Sequence, residues 1–145
     1  MIGDIAEDFT LKDQDDNEFN LYRNLDKKIL LVFYPKDDSP VCTKQLTNYN
    51  SFKSEFEKLG IIMIGINTGS CKSHKNFCTA VGEGIRLLCD ETKNISKKFS
   101  ALNLFGMNKR KLVLIGTDRK VIFEKSVFPI MYIDAEKIFE MIKEV

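Results

Sequence analysis

Two short, unbroken apolar runs mark the chain's centre. Ile29 to Tyr34 and Ile61 to Ile66 carry no polar residue except the tyrosine hydroxyl, the pattern of strands covered on both faces. Between them, Leu46, Tyr49, Phe52, Phe56 and Leu59 recur at spacings of three and four, which predicts an amphipathic helix over Thr43 to Leu59, stopped by Gly60. A second helix is expected over Lys72 to Val81, a short strand over Arg86 to Cys89, and a helix over Asn94 to Leu102. Lys111 to Ile115 and Val121 to Glu124 flank Gly116-Thr117-Asp118-Arg119 and predict an antiparallel hairpin. Asp134 is placed to cap a last helix running through Glu144, with Ile138, Met141, Ile142 and Val145 as its apolar face. Phe9 to Leu11 and Glu18 to Leu21 suit a further small hairpin. The alternation implies an α/β protein with a mixed central sheet flanked by helices.

Linkers, repeats and low-complexity segments are not evident, so residues 1–145 are expected to form a single domain. Lys and Arg number 22 against 21 Asp and Glu, which leaves no electrostatic case for nucleic acid or an anionic membrane as partner. The apolar runs are too short to span a bilayer, and the start MIGDIAEDF lacks a secretion pattern, so a cytoplasmic location is expected. In a reducing compartment the four cysteines, Cys42, Cys71, Cys78 and Cys89, are expected as packing residues, metal ligands or redox-active thiols rather than structural disulfides.

Cys42 stands out by position. Ser39 is a good N-cap and Pro40 suits the first helical position, so Cys42 falls in the first turn of a helix that follows a central strand. Free N–H groups and the helix dipole favour an anion there, and thiols in such places titrate between roughly 3.5 and 7.5 instead of about 8.5. The carboxyl end of a strand is also where open α/β sheets build sites. Taken alone, a small buried residue near a helix end fits nearly as well.

The stretch FYPKDDSPVCTKQ, residues 33 to 45, contains Pro35-x-x-x-Ser39-x-x-Cys42 and resembles the active-site signature of the peroxiredoxins (the AhpC/TSA family). The wider context is similar to the bacterioferritin-comigratory-protein or PrxQ branch: Gly3 to Leu11, Ser73-His74-Lys75-Asn76-Phe77 and Leu87-Leu88-Cys89-Asp90 match in order. The resemblance implies a thioredoxin-like fold and a thiol peroxidase that reduces hydrogen peroxide and organic hydroperoxides. It implies Cys42 as the peroxidatic cysteine, Arg110 holding thiolate and peroxide, and Ser39 bonding the peroxide. Backbone N–H groups of Val41 and Cys42 would meet the developing negative oxygen, and Pro35 would shield the sulfur. Without it, Ser39 reads as a cap, Pro35 as a strand breaker, and Lys109-Arg110-Lys111 as solvated surface. The chain departs from the branch at Val41, where glycine is commoner, at Gln45, where glutamate is usual, and at Glu7, where proline is usual.

In many relatives the resolving cysteine follows five residues after the first; Thr47 occupies that place. Another subgroup uses a cysteine on the next helix, and the resemblance therefore points to Cys78 and an intramolecular Cys42–Cys78 disulfide. Cys71 is a second candidate, and Cys89 is expected to be buried and inert. Thioredoxin or a similar dithiol is the implied reductant, a monomer the implied state, and no bound cofactor is implied because the electrons pass through thiols. A competing reading joins Cys71, His74, Cys78 and Cys89 in a zinc site of a binding module or redox switch. In the peroxidase reading His74 is a surface or capping residue.

Overall fold

A computed structural model describes residues 2–37, 39–81, 84–128 and 131–143, with the backbone alone at 78–81. Glu144, Val145 and the Cys78 side chain lie outside the described residues.

The elements run β1 (Thr10–Asp13), β2 (Glu18–Asn20), β3 (Lys28–Phe33), α1 (Pro40–Ser51), α2 (Lys53–Lys58), β4 (Ile61–Asn67), α3 (Cys71–Val81), β5 (Arg86–Cys89), α4 (Asn94–Lys98), β6 (Arg110–Ile115), β7 (Val121–Val127) and α5 (Ala135–Ile142). The strands form one sheet in the order β2-β1-β5-β4-β3-β6-β7. β3, β4 and β5 are parallel, while β1, β6 and β7 join antiparallel. The sheet is therefore mixed, with β3 in its interior.

Both faces of β3 are covered, which is why its sequence does not alternate with polar residues. Leu30, Val32 and Tyr34 pack with Leu46 and Tyr49 of α1, Phe56 of α2, Phe77 of α3 and Ile138 of α5. Ile29, Leu31 and Phe33 pack instead with Phe9, Phe19, Leu21 and Ile95. Gly65 of β4 sits where a Cβ would lie 2.6 Å from Leu87 Cδ2 and 3.4 Å from Tyr34, so a larger residue there would have to displace the Leu87 side chain.

Several boundaries differ from the sequence expectation. The single helix over Thr43 to Leu59 is two, because the chain leaves helical geometry at Phe52 (φ −104°, ψ 11°) and restarts at Lys53. Gly60 follows with φ 74°, the left-handed conformation that ends a helix. The helix expected to reach Leu102 stops at Lys98. Ser100 turns left-handed (φ 54°), and Leu102 then bridges Asn108 in extended form. Asp134 does cap α5, its carboxylate accepting from Lys137 N at 2.9 Å.

Candidate active site

Cys42 is the third residue of α1. Ser39 caps the helix with extended backbone (φ −73°, ψ 146°), and its Oγ accepts from Cys42 N at 3.3 Å. The Ser39 carbonyl accepts from Thr43 N and from the Thr43 hydroxyl. Pro40 starts the helix where its missing N–H has no intrahelical partner to lose. The Cys42 N–H is thus paired with the cap, while the Ser39 Oγ that accepts from it keeps its own hydroxyl hydrogen to donate.

The Cys42 thiol is free and fully buried, within the apolar cluster of Leu30, Val32, Tyr34, Leu46 and Leu112. Arg110 Nη1 donates to Cys42 Sγ at 3.2 Å and to Gln45 Oε1 at 2.7 Å. Arg110 is only 3% exposed, and its guanidinium offers donors in a fixed planar fork. Sheet topology explains how a residue 68 positions away arrives here. β6 runs antiparallel to β3, and Phe33 pairs Lys111, so the start of β6 lies at the carboxyl end of β3. Period two then sets the faces. Arg110 shares a face with Leu112 and Leu114, which pack in the cluster containing α1. Lys111 points to the other face, where its ammonium donates to Phe99 O at 2.7 Å. Burial pushes the Lys111 ammonium below its ordinary range, against the opposing pull of Glu124. The basic cluster, which apart from the resemblance would read as solvated surface, is thus buried at Arg110 and Lys111, because both positions belong to an interior strand.

Gln45, expected only as an uncharged stand-in for the branch's glutamate, does accept from the arginine, and Tyr49, which was not expected at the site, continues it along α1. At i+3 and i+7 from Cys42 they share its face. Gln45 Nε2 donates to the Tyr49 hydroxyl at 3.2 Å, and that hydroxyl donates to Ile133 O. Burial pushes the Tyr49 phenol well above its ordinary value, so it stays a neutral donor. The i, i+7 spacing from Cys42 is the signal that could have found Tyr49. Pro35, just past β3, is half-buried, as are Ser39 and Val41.

A second buried cluster braces the loop that carries Ser39. Asp37 accepts from the Tyr34 hydroxyl at 2.7 Å, from the Ser73 hydroxyl, and from His74 Nδ1 at 2.7 Å. His74 Nε2 faces Leu88 O at 2.9 Å. Both ring nitrogens therefore have an oxygen partner. Burial alone would raise the Asp37 carboxyl, but the hydrogen bonds from His74 and Ser73 and the histidine's charge outweigh it and hold the group below its ordinary value. His74 is therefore not a surface or capping residue; it is fully buried and ties α3 to both the loop and β5.

The cysteine expectations change most. Cys71 and Cys89 are joined in a disulfide, with Cα atoms 5.3 Å apart. Cys89 is buried as expected but is bonded to Cys71 rather than packing as a thiol, and the expectation against disulfides fails at this pair. The first residue of α3 and the last residue of β5 lie within bridging range. The zinc reading falls with it: two of its ligands are spent on each other, and both nitrogens of His74 are occupied. Among the described residues no group of three His, Cys, Asp or Glu is placed to hold a metal. None of the described helices is long and apolar enough to cross a membrane.

A mixed α/β sheet that presents a buried thiol at a helix start, against a buried guanidinium, defines the class: a thiol-dependent peroxidase of thioredoxin-like architecture. The chain belongs to the AhpC/TSA family, whose model matches residues 2–124. The Helicobacter pylori protein assigned as peroxiredoxin bcp is 38% identical over 108 residues, 72% of this chain and 71% of that one. The chloroplastic peroxiredoxin Q of Triticum aestivum is 33% identical over 131 residues, 90% of this chain and 58% of that one. Among solved structures, peroxidoxin BcpB of Mycobacterium tuberculosis superposes with a TM-score of 0.81 at 29% identity, covering 86% of this chain and 84% of that one.

Proposed function

We propose that Cys42 is the peroxidatic cysteine of a peroxidase that reduces hydrogen peroxide and organic hydroperoxides in antioxidant defence. The observation that carries this reading is the 3.2 Å contact of Arg110 Nη1 with a buried free Cys42 sulfur. The thiolate attacks one peroxide oxygen, the O–O bond breaks, and the sulfur becomes a sulfenic acid. The departing oxygen takes a proton and leaves as water or an alcohol. Arg110 stabilises the thiolate and then the charge that moves to the leaving oxygen. Gln45 orients the guanidinium, and Tyr49 orients Gln45. The Val41 N–H at the helix start and the Ser39 hydroxyl meet the peroxide, while Pro35 screens the sulfur from water.

Cys78 resolves the sulfenic acid in this reading. Its thiol attacks Cys42, releasing water and forming the Cys42–Cys78 disulfide, which thioredoxin or a similar dithiol then reduces. Two facts support it: α3 packs beside α1, and Cys71 and Cys89 already hold each other. We propose further that the chain works as a single-domain monomer in the cytoplasm.

The test is peptide mapping after a stoichiometric amount of hydrogen peroxide, on wild type and Cys78→Ser. Loss of both thiol hydrogens at Cys42 and Cys78, replaced by a sulfenic acid at Cys42 in the variant, is the expected result. Unreacted Cys42 in folded protein would overturn the reading.

A further inference from the structure

The Cys71–Cys89 bridge takes no part in the chemistry proposed for Cys42. It lines an open groove of about 590 Å³, together with Leu11, Lys12, Ser70 and Glu91. Its sulfurs differ in access: Cys71 is half-buried, whereas Cys89 is 8% exposed and its Sγ lies 3.7 Å from Asp13 O. Their chemical positions differ too. Cys71 is the first residue of α3, an 11-residue helix capped by Ser70, whose Oγ accepts from Ser73 N at 3.1 Å. Cys89 ends β5.

We propose that Cys71–Cys89 is a second redox-active centre of this protein, a thiol–disulfide exchange site whose substrate is a dithiol entering the groove. One thiolate of the dithiol attacks the accessible Cys71 sulfur, forming a mixed disulfide and breaking the bond to Cys89. The Cys89 thiolate takes a proton and can donate its S–H to Asp13 O, an acceptor already within reach. The dithiol's second thiolate then attacks its own sulfur in the mixed disulfide and expels Cys71. That leaving thiolate sits at the positive end of a helix, which makes its departure easier. One disulfide is opened here and one is formed in the reductant, with two electrons passing to the cysteine pair. The open pair stays poised to close again. His74 Nε2 holds Leu88 O at 2.9 Å, one turn along α3 from Cys71 and one residue before Cys89, so α3 and β5 remain fastened without the bridge.

The site is tested separately from the peroxidase chemistry by using a Cys42→Ser, Cys78→Ser background that leaves only this pair. The folded protein is titrated with dithiothreitol or with reduced thioredoxin at equal dithiol concentration. Free thiols are alkylated in native buffer and counted by mass, with circular dichroism followed in parallel. Labels on both Cys71 and Cys89 with the fold retained are expected. A faster reaction with thioredoxin assigns the groove to a protein dithiol, and equal rates assign it to a small one. Labelling that appears only after denaturation overturns the proposal. In the same background, Cys89→Ser should release chromophore from a disulfide reagent at least about tenfold faster than Cys71→Ser, as the difference in access demands. Equal rates would overturn the order of attack. Wild-type protein mapped peptide by peptide gives the same reading if a variant does not fold.

Discussion

Replacing Arg110 with methionine separates what the guanidinium does for the reaction from what it does for the fold. The group lies 3.2 Å from Cys42 Sγ in a buried cluster. Two unit charges at that distance attract by about 5 kcal/mol at an effective dielectric of about 20, against about 1 kcal/mol in water. Spreading the charge over the guanidinium lowers the first figure, and deleting one preorganised donor elsewhere costs about 2.7–4 kcal/mol. The reaction of Cys42 with hydrogen peroxide should therefore slow by roughly 10²–10³. Stability should change far less. The variant loses hydrogen bonds to Cys42 and Gln45, each worth about 1.5–3 kcal/mol for a charged donor, but also sheds the cost of burying the charge. Competition kinetics against a reference peroxidase measures the rate, and urea midpoints of the reduced protein measure the fold. A folded variant whose rate stays within about threefold of wild type would refute the reasoning, because transition-state stabilisation would then lie elsewhere.

Two further outcomes follow from the packing. Asp37→Asn removes a buried carboxylate that serves three partners, and should cost about 1–3 kcal/mol at neutral pH by leaving buried polar groups imperfectly paired. Because the folded carboxyl titrates below its unfolded value of about 3.9, its contribution is full above that value and is lost as pH falls toward the folded one. Urea midpoints should therefore drop more steeply for wild type than for Asp37→Asn on acidification below about pH 4, and parallel curves would contradict this. Gly65→Ala puts a Cβ 2.6 Å from Leu87 Cδ2 and should cost about 1–3 kcal/mol in a denaturant titration.

Local signals carried most of the architecture. The apolar runs located β3 and β4, the Gly116 to Arg119 turn located the hairpin, and Ser39-Pro40 located the start of α1 to the residue. The errors arose where local preference was weak. Phe52 continues an apolar stripe across a break in helical geometry, and Ser100 adopts a left-handed turn that no glycine announces.

At the site, the sequence alone determined that a thiol occupies the first turn of a helix behind an interior strand. Capping and proline chemistry act within a few residues, so position in the chain suffices to read them. Only the tertiary structure decided what surrounds that thiol. Arg110 reaches it because β6 pairs antiparallel with β3, and Lys111 turns away because strand residues alternate faces. Asp37, Ser73 and His74 meet because α3 packs beside the loop. Cys71 finds Cys89 rather than a metal because α3 begins where β5 ends. Each of these contacts joins residues distant in sequence, and which pairs form depends on sheet order and register, which no local pattern encodes.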